Sequence, residues 1–270
     1  KGKTFRHDKY DFYKQGRIET PNELKLQFPK AKELLDAMGI KYFEIDNYEA
    51  DDIIGTLAEY CNEDPNFIGT IISSDKDLLQ LISNDIDIKL LKQKDYIRYN
   101  EKTFTEEYGI KPINIIDLKA LMGDSSDNIP GVKGIGEKTA LKLLQEYKTL
   151  DGIYENINKI TRKTKEKLLA DKENAYMSYE VATIYKKVPL DFKIEDLKYL
   201  GKTDKLNDIY EELEFFSFLK KETKKEEKLN ITIIEDINKI KIDKECTLYL
   251  EILGTNYHTS QIIGVGLYNS

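Results

Sequence analysis

Apolar residues recur at mixed three- and four-residue steps over residues 22–39, through Leu24, Leu26, Phe28, Leu34, Leu35 and Met38. That period predicts an amphipathic helix, which Gly39 stops. A short strand is predicted at Lys41-Tyr-Phe-Glu-Ile45, after which Asp46 or Asn47 supplies a cap for a helix with the stripe Ile53, Ile54, Leu57 and Ala58. Phe67-Ile-Gly-Thr-Ile-Ile72 reads as a buried strand and Leu78-Leu-Gln-Leu-Ile82 as the start of another helix. Alternating strands and helices imply an α/β fold with a parallel sheet, whose sites lie at the carboxyl ends of strands. From about residue 101 the pattern turns mainly helical and stays so to Leu219. Lys220 to Lys228 is a charged stretch without apolar residues and reads as a linker. Beyond it, Ile231-Thr-Ile-Ile234 and Thr247-Leu-Tyr-Leu-Glu-Ile-Leu253 predict the first strands of a second α/β domain. The expected boundaries are therefore a core over 1–105, a helical subdomain over 106–219, a linker over 220–228 and the second domain over 229–270.

Composition narrows the class. The chain has 270 residues, 40% hydrophobic and 34% charged, which is ordinary for a globular protein. No apolar run approaches the roughly 20 residues that span a bilayer, so no membrane partner and a cytoplasmic location are expected. Cys61 and Cys246 lack metal-ligand spacing, and His7 and His258 are too few for a histidine-based metal site. The net charge of −7 argues against nucleic acid until its distribution is considered. Residues 1–17 carry six cations, including Arg6, Lys14 and Arg17, whereas residues 44–52 carry five acids and no cation. Cations suit phosphates, and concentrated acids suit metal ions.

Three acidic clusters carry the chemistry: Glu49-Ala-Asp51-Asp52, Asp75-Lys-Asp77 and Asp124-Ser-Ser-Asp127. Each has a simpler explanation taken alone. The first lies in a helical first turn, where acids are favoured by about 0.3–1 kcal/mol each. The second can cap a helix through Ser73-Ser74-Asp75, and the third sits in a turn rich in turn-forming residues. Three paired-acid caps in one chain are a less economical account than one shared site. Seven carboxylates gathered together call for divalent cations, and two such ions are common machinery for cutting phosphodiesters. Further on, Gly131-Val-Lys-Gly-Ile-Gly-Glu-Lys-Thr139 precedes a helix. It misses a nucleotide-binding loop because Glu137 intervenes before Lys138-Thr139 and no strand precedes it. A hairpin whose backbone grips a DNA strand fits better.

These segments resemble a known family. Tyr48-Glu-Ala-Asp-Asp-Ile-Ile-Gly-Thr-Leu57, Ser73-Ser-Asp-Lys-Asp77, Leu121-Met-Gly-Asp-Ser-Ser-Asp-Asn-Ile-Pro-Gly131 and Gly134-Ile-Gly-Glu-Lys-Thr-Ala140 look like the signatures of the 5′→3′ exonuclease domain of bacterial DNA polymerase I, within the flap endonuclease family. The match runs in order from residue 1 to about 219. It implies a PIN-like α/β nuclease core followed by a helix-two-turn-helix subdomain. Glu49, Asp51 and Asp52 would hold one metal, directly or through water, and orient the attacking water, and Asp75, Asp77, Asp124 and Asp127 would bind or support a second. The implied ions are Mg²⁺, with Mn²⁺ as a substitute in vitro, because every ligand is a carboxylate. Arg6, Tyr13, Lys14 and Arg17 match a basic segment that arches over a single-stranded 5′ end. There Lys14 and Arg17 would act as catalytic residues steadying the phosphate, while Tyr13 stacks on a base. The hairpin residues Gly131, Gly134, Gly136, Lys138 and Thr139 would bind duplex DNA, with a K⁺ ion at the turn. Implied substrates are nicked duplexes and 5′ flaps in Okazaki-fragment maturation and excision repair. A carboxy-terminal polymerase domain and a monomeric state are expected with it.

Two departures from the family qualify this. The family's amino-terminal strand and a later strand end each supply a metal-binding Asp, and both lie upstream of Phe5-Arg6-His7. The expectation is that this chain alone is truncated and nearly inactive. A second class of function then follows, a structure-specific DNA-binding module without catalysis. A stand-alone nuclease is the third reading, opposed by the segment after residue 228. There, Leu248 to His258 and Ile262 to Leu267 resemble the opening of a 3′→5′ exonuclease-like domain. Glu251 and Leu253 stand where an active proofreading site has Asp-x-Glu, so that domain is expected to be inactive.

Overall fold

The computed structural model describes residues 3–219, 237–239, 246–253 and 261–269. Two compact units emerge, Lys1–Glu214 and Phe215–Ser270. The linker expected at 220–228, the segment Ile231–Ile234 and His258 lie outside the described residues.

The first unit opens with helix α1 (Phe5–Lys9), followed by α2 (Asn22–Lys25) and α3 (Gln27–Ala37). The helix predicted over 22–39 is thus interrupted at Leu26. Its apolar stripe is covered only toward its end: Leu24, Leu26 and Phe28 are exposed, whereas Leu34, Leu35 and Met38 are half-buried. Residues 41–45 belong to no strand. Phe43 is fixed by stacking on Phe192, with ring centroids 3.8 Å apart, and not by a ladder. Helix α4 (Ala50–Glu63) has Glu49 as its N-cap residue, displacing the Asp46 and Asn47 predicted for that role. Burial of Ile53, Gly55, Thr56 and Ala58 on one face of α4 follows the helical period.

A three-stranded sheet comes next, in the order β1 (Gly69–Ser73), β2 (Ile86–Lys92) and β3 (Asp95–Tyr99). β1 and β2 are parallel, with Ile71 opposite Ile88, whereas β2 and β3 form an antiparallel hairpin. Along β2 the buried residues Ile86, Ile88 and Leu90 alternate with less buried ones, the period-two pattern of a strand with one face inward. The parallel sheet expected from the sequence therefore has one antiparallel edge. Lys76–Leu81 is a 3₁₀ segment and not the α-helix predicted from Leu78 onward. At the free edge of β1, Ile68 and Ile72 are exposed.

Helices α5 (Glu101–Tyr108), α6 (Ile115–Met122), α7 (Glu137–Tyr147), α8 (Leu150–Glu155), α9 (Arg162–Ala170), α10 (Lys172–Ala182) and α11 (Leu206–Glu212) complete the unit. One continuous core joins the sheet to these helices, with Leu79, Ile88, Phe104, Leu121 and Leu144 essentially inaccessible. Apolar burial of that kind contributes about 1.5–3 kcal/mol per large side chain. Asp117 strengthens the joint by accepting from the Leu150 amide at 2.8 Å and the Asn114 side chain at 2.8 Å. In the second unit β4 (Cys246–Leu253), which covers the predicted run Thr247–Leu253, pairs antiparallel with β5 (Gln261–Asn269). Leu253 is exposed there.

Candidate metal centre and nucleic-acid hairpin

The three acidic clusters converge because β1 ends, α4 begins and the loop after α6 turns in the same neighbourhood. Ser73 closes β1, and its hydroxyl accepts the Asp75 amide at 3.0 Å. Asp75 then accepts the Asp77 amide at 2.9 Å, as the cap of the 3₁₀ segment. The third cluster is a tight loop in which Asp124 and Ile129 exchange backbone bonds of 2.9 and 2.7 Å. Asp124 Oδ1 there accepts the Ser126 amide and hydroxyl at 2.8 and 2.7 Å.

Charge repulsion reveals the proximity. Burial pushes the Asp51 carboxyl up to about 6, and the neighbouring charges of Asp75 and Glu49 push the same way. Burial also lifts Asp77 to about 6; Lys119 outweighs the added repulsion of Asp75 and Asp124 but not the burial itself. Asp124 goes the other way, to about 2: burial raises it, but Lys119 and Ser126 outweigh that. Asp51, Asp75, Asp77 and Asp124 therefore lie in one electrostatic field.

Cations of the chain itself occupy much of this field. Lys14 Nζ donates to both oxygens of Glu49 at 2.7 Å, and Tyr13 donates to Glu49 at 3.0 Å. Lys14 adopts φ 54, a left-handed conformation uncommon for lysine, with its amide donating to the Asp127 carbonyl at 3.0 Å. Arg17 pairs with the Asp127 carboxylate. Lys119 pairs with Asp77 and with Asp124, the latter at 2.5 Å. Among the described residues no three carboxylates are already gathered as a ready-made metal cage. The donor set is nonetheless all oxygen and crowded with like charge, and Asp51 makes no hydrogen bond or ion pair with a described residue. Such a set fits a hard divalent cation.

Three of the expected site residues are engaged elsewhere in this structure. Asp52 is fully buried, and its carboxylate is saturated by Arg6 Nη1 and Nη2 at 2.8 Å and by the amides of Glu49 and Tyr185 at 3.1 and 2.9 Å. It has no lone pair directed at the cleft and serves the fold instead. Arg6, buried by the same pair, also donates to the carbonyls of Val181 and Thr183 at 3.2 and 2.8 Å, so it is not placed to meet a phosphate. Tyr13 is 4% exposed, and its ring is enclosed where base stacking would need it open. Lys119 was missed by sequence reasoning. Its signal was a lone cation between apolar residues in Ile115-Ile-Asp-Leu-Lys-Ala-Leu-Met122, five residues before Asp124.

The glycine segment is a turn between α6 and α7 with its apolar residues inward. Val132 and Ile135 are buried, while Lys133, Gly134, Gly136, Lys138 and Thr139 are exposed. Gly131 has φ +59, and a Cβ there would collide with the Gly123 backbone, so the two glycines pack main chain on main chain. Ser178 accepts the Gly131 amide at 3.0 Å, and Lys167 donates to the Gly134 carbonyl at 2.7 Å. G131A is therefore expected to cost about 2–4 kcal/mol, from left-handed strain plus overpacking, as read by urea melts. G136A meets nothing within 4 Å. It is expected to cost under about 1 kcal/mol while weakening duplex binding, because only the exposed approach to the backbone changes.

Acidic residues at the end of a parallel strand pair, beside an exposed glycine hairpin, suit a protein that acts on a phosphate backbone. The comparisons agree with this class. Residues 1–109 match the family model "5′-3′ exonuclease, N-terminal resolvase-like domain", and residues 110–205 match "5′-3′ exonuclease, C-terminal SAM fold". The chain belongs to the 5′-3′ exonuclease family. It is 43% identical over 269 residues to DNA polymerase I of Streptococcus pneumoniae, covering 97% of this chain and 31% of that protein. Against DNA polymerase I of Bacillus subtilis it is 38% identical over 279 residues, 98% of this chain and 32% of that one. The chain thus spans about a third of the length of the curated relatives it matches. Among solved structures, a T5 protein co-crystallised with metal ions has TM-score 0.55 and 25% identity, covering 68% of this chain and 73% of that chain. T5 5′-exonuclease with bound zinc has TM-score 0.55 at 22% identity, covering 79% and 80%, and shows the shared fold.

Proposed function

We propose that this chain is the 5′-nuclease part of a DNA polymerase I, hydrolysing DNA phosphodiesters at nicks and displaced 5′ flaps with two Mg²⁺ ions. The observation that supports this reading is the shared electrostatic field of Asp51, Asp75, Asp77 and Asp124, which come from three separate segments, with Glu49 adding to the charge at Asp51, beside the glycine hairpin. Asp51, Asp75 and Glu49 would hold one ion, and Asp77, Asp124 and Asp127 would hold or support the other. Bound there, the ions would lower the pKa of a water and neutralise charge on the phosphate. The chain's own groups do the rest. Lys14 and Arg17, on the rim beside Glu49 and Asp127, are the cations able to turn toward a phosphate once metal satisfies those acids. Gly134, Gly136, Lys138 and Thr139 would present amides and charge to the duplex backbone without reading bases. A K⁺ ion at the turn, a linked polymerase domain, a monomeric state and a cytoplasmic location belong to the same proposal. No described helix is long and apolar enough to cross a membrane.

The test is cleavage of a 5′-labelled flap duplex, by this chain and by the full-length protein side by side. Mg²⁺-dependent cleavage by the full-length protein, abolished by EDTA and by D75N, is expected. Flap retention by both without any cleavage, insensitive to EDTA and steeply weakened by salt, would make the chain a binding module instead.

A further inference from the structure

Lys119 has no part in the roles assigned above, and its position is unusual for a lysine. It stands on α6 beside buried Leu118, Ala120 and Leu121, with its own side chain 13% exposed. Burying an ammonium is costly unless it is well paired. The pairing here comes from two different parts of the chain, Asp77 in the 3₁₀ segment after β1 and Asp124 in the loop after α6. Asp124 has already committed Oδ1 to the Ser126 amide and hydroxyl. The oxygen left for any other cation is Oδ2, and that is the atom Lys119 holds at 2.5 Å. A hard cation between Asp77 and Asp124 needs the same oxygens and the same space.

We propose that Lys119 is a tethered counter-ion competing with the second metal ion for Asp77 and Asp124, so that metal enters that position only as the ammonium leaves. Lys119 is thus a positioning residue that keeps the two parts of the site together before metal arrives and weakens the second binding step. The proposal rests on the metal-site reading above.

The experiment is calorimetric titration of the 270-residue chain with Mn²⁺ alone, for wild type, K119M, K119Q and K119R. The weaker Mn²⁺ site is expected to tighten by roughly tenfold or more in K119M and K119Q, a change on the scale of other alterations around metal ligands. K119R, which keeps the charge, is expected to bind like wild type. A merely structural lysine would give neutral variants with lower melting temperature and unchanged or weaker Mn²⁺ affinity, which would overturn the proposal. K119Q keeps hydrogen-bonding capacity and covers the case in which K119M does not fold. Independently of any variant, the Lys119 side-chain NMR signal of wild type is expected to shift at saturating Mg²⁺; an unmoved signal also overturns the proposal. If wild type and both neutral variants bind no Mn²⁺, the metal-site reading itself fails and takes this inference with it.

Discussion

Replacing Arg6 by alanine is expected to destabilise the first unit by about 3–5 kcal/mol, the cost of leaving a buried charge without its partner. The melting temperature should fall by roughly 10 °C for a unit of this size. The reason is the set of bonds that converge on this side chain. Arg6 engages both oxygens of Asp52, which is wholly inaccessible, and its remaining N–H groups meet the carbonyls of Val181 and Thr183 at the end of α10. One side chain therefore ties α1, α4 and α10, and the cation also suits the negative end of a helix. In R6A the Asp52 carboxylate keeps only its two amide donors. The double variant R6M/D52N should be destabilised by less than the sum of the single changes, because the charge and its partner go together. Were Arg6 a phosphate contact, R6A would leave the melting temperature unchanged and lower the salt dependence of DNA binding instead. Thermal melts of the two single variants and the double one decide between these outcomes.

Asp51→Asn is expected to move stability and activity in opposite directions. Folding holds the Asp51 carboxyl at about 6, well above its ordinary range, through burial and the charges of Asp75 and Glu49. A raised carboxyl pKa favours folding when the group is protonated. The corresponding stability is fully present below about pH 4 and is lost as pH rises through about 6. At pH 7, without metal, the ionised group therefore costs stability, and the neutral amide should recover about 1–2 kcal/mol once partial solvent screening is allowed for. The advantage of D51N should shrink toward pH 4, where Asp51 in the parent is itself neutral. Added Mn²⁺ is expected to raise the melting temperature of the parent and much less that of D51N. Flap cleavage by full-length protein carrying D51N should fall by about two orders of magnitude or more, as for loss of a group in a metal's immediate surroundings. Stability held back at the site that does the work is the usual trade-off between folding and function. If D51N melts lower than the parent at pH 7 without metal, the crowding argument for this site is wrong.

The chain's own lysines and arginines complete this picture. Glu49, Asp77, Asp124 and Asp127 each have a cation within reach, from Lys14, Lys119 or Arg17, so the acidic cleft folds without waiting for metal. Burial, Asp75 and Glu49 raise Asp51 more than Lys14 lowers it, so neutralising Asp51 relieves the field.

Much of this was legible in the residues alone. The acidic clusters, their positions at the start of α4, the end of β1 and the loop after α6, and the glycine turn before α7 all follow from local rules. Paired acids, glycines and apolar periods act over a few residues, and a few residues suffice to show them. The β2–β3 hairpin is equally local, carried by the alternation of Ile86, Ile88 and Leu90. What only the tertiary structure decided was how each carboxylate is used. Asp51 and Asp52 are neighbours in one helical turn, yet Asp52 pairs with Arg6 while Asp51 feels the charge of Asp75. Within the turn only the Glu49 amide, donated to Asp52 at 3.1 Å, sets them apart; the charged partner of Asp52 comes from 46 residues away. Lys41–Ile45 has the composition of a strand, but a ladder needs a neighbouring edge, and there the chain packs Phe43 on Phe192 instead. Lys119 is a lone cation in an apolar helix until β1 delivers Asp77 to it. Sequence set which groups were available, and long-range packing set which of them remain free to bind.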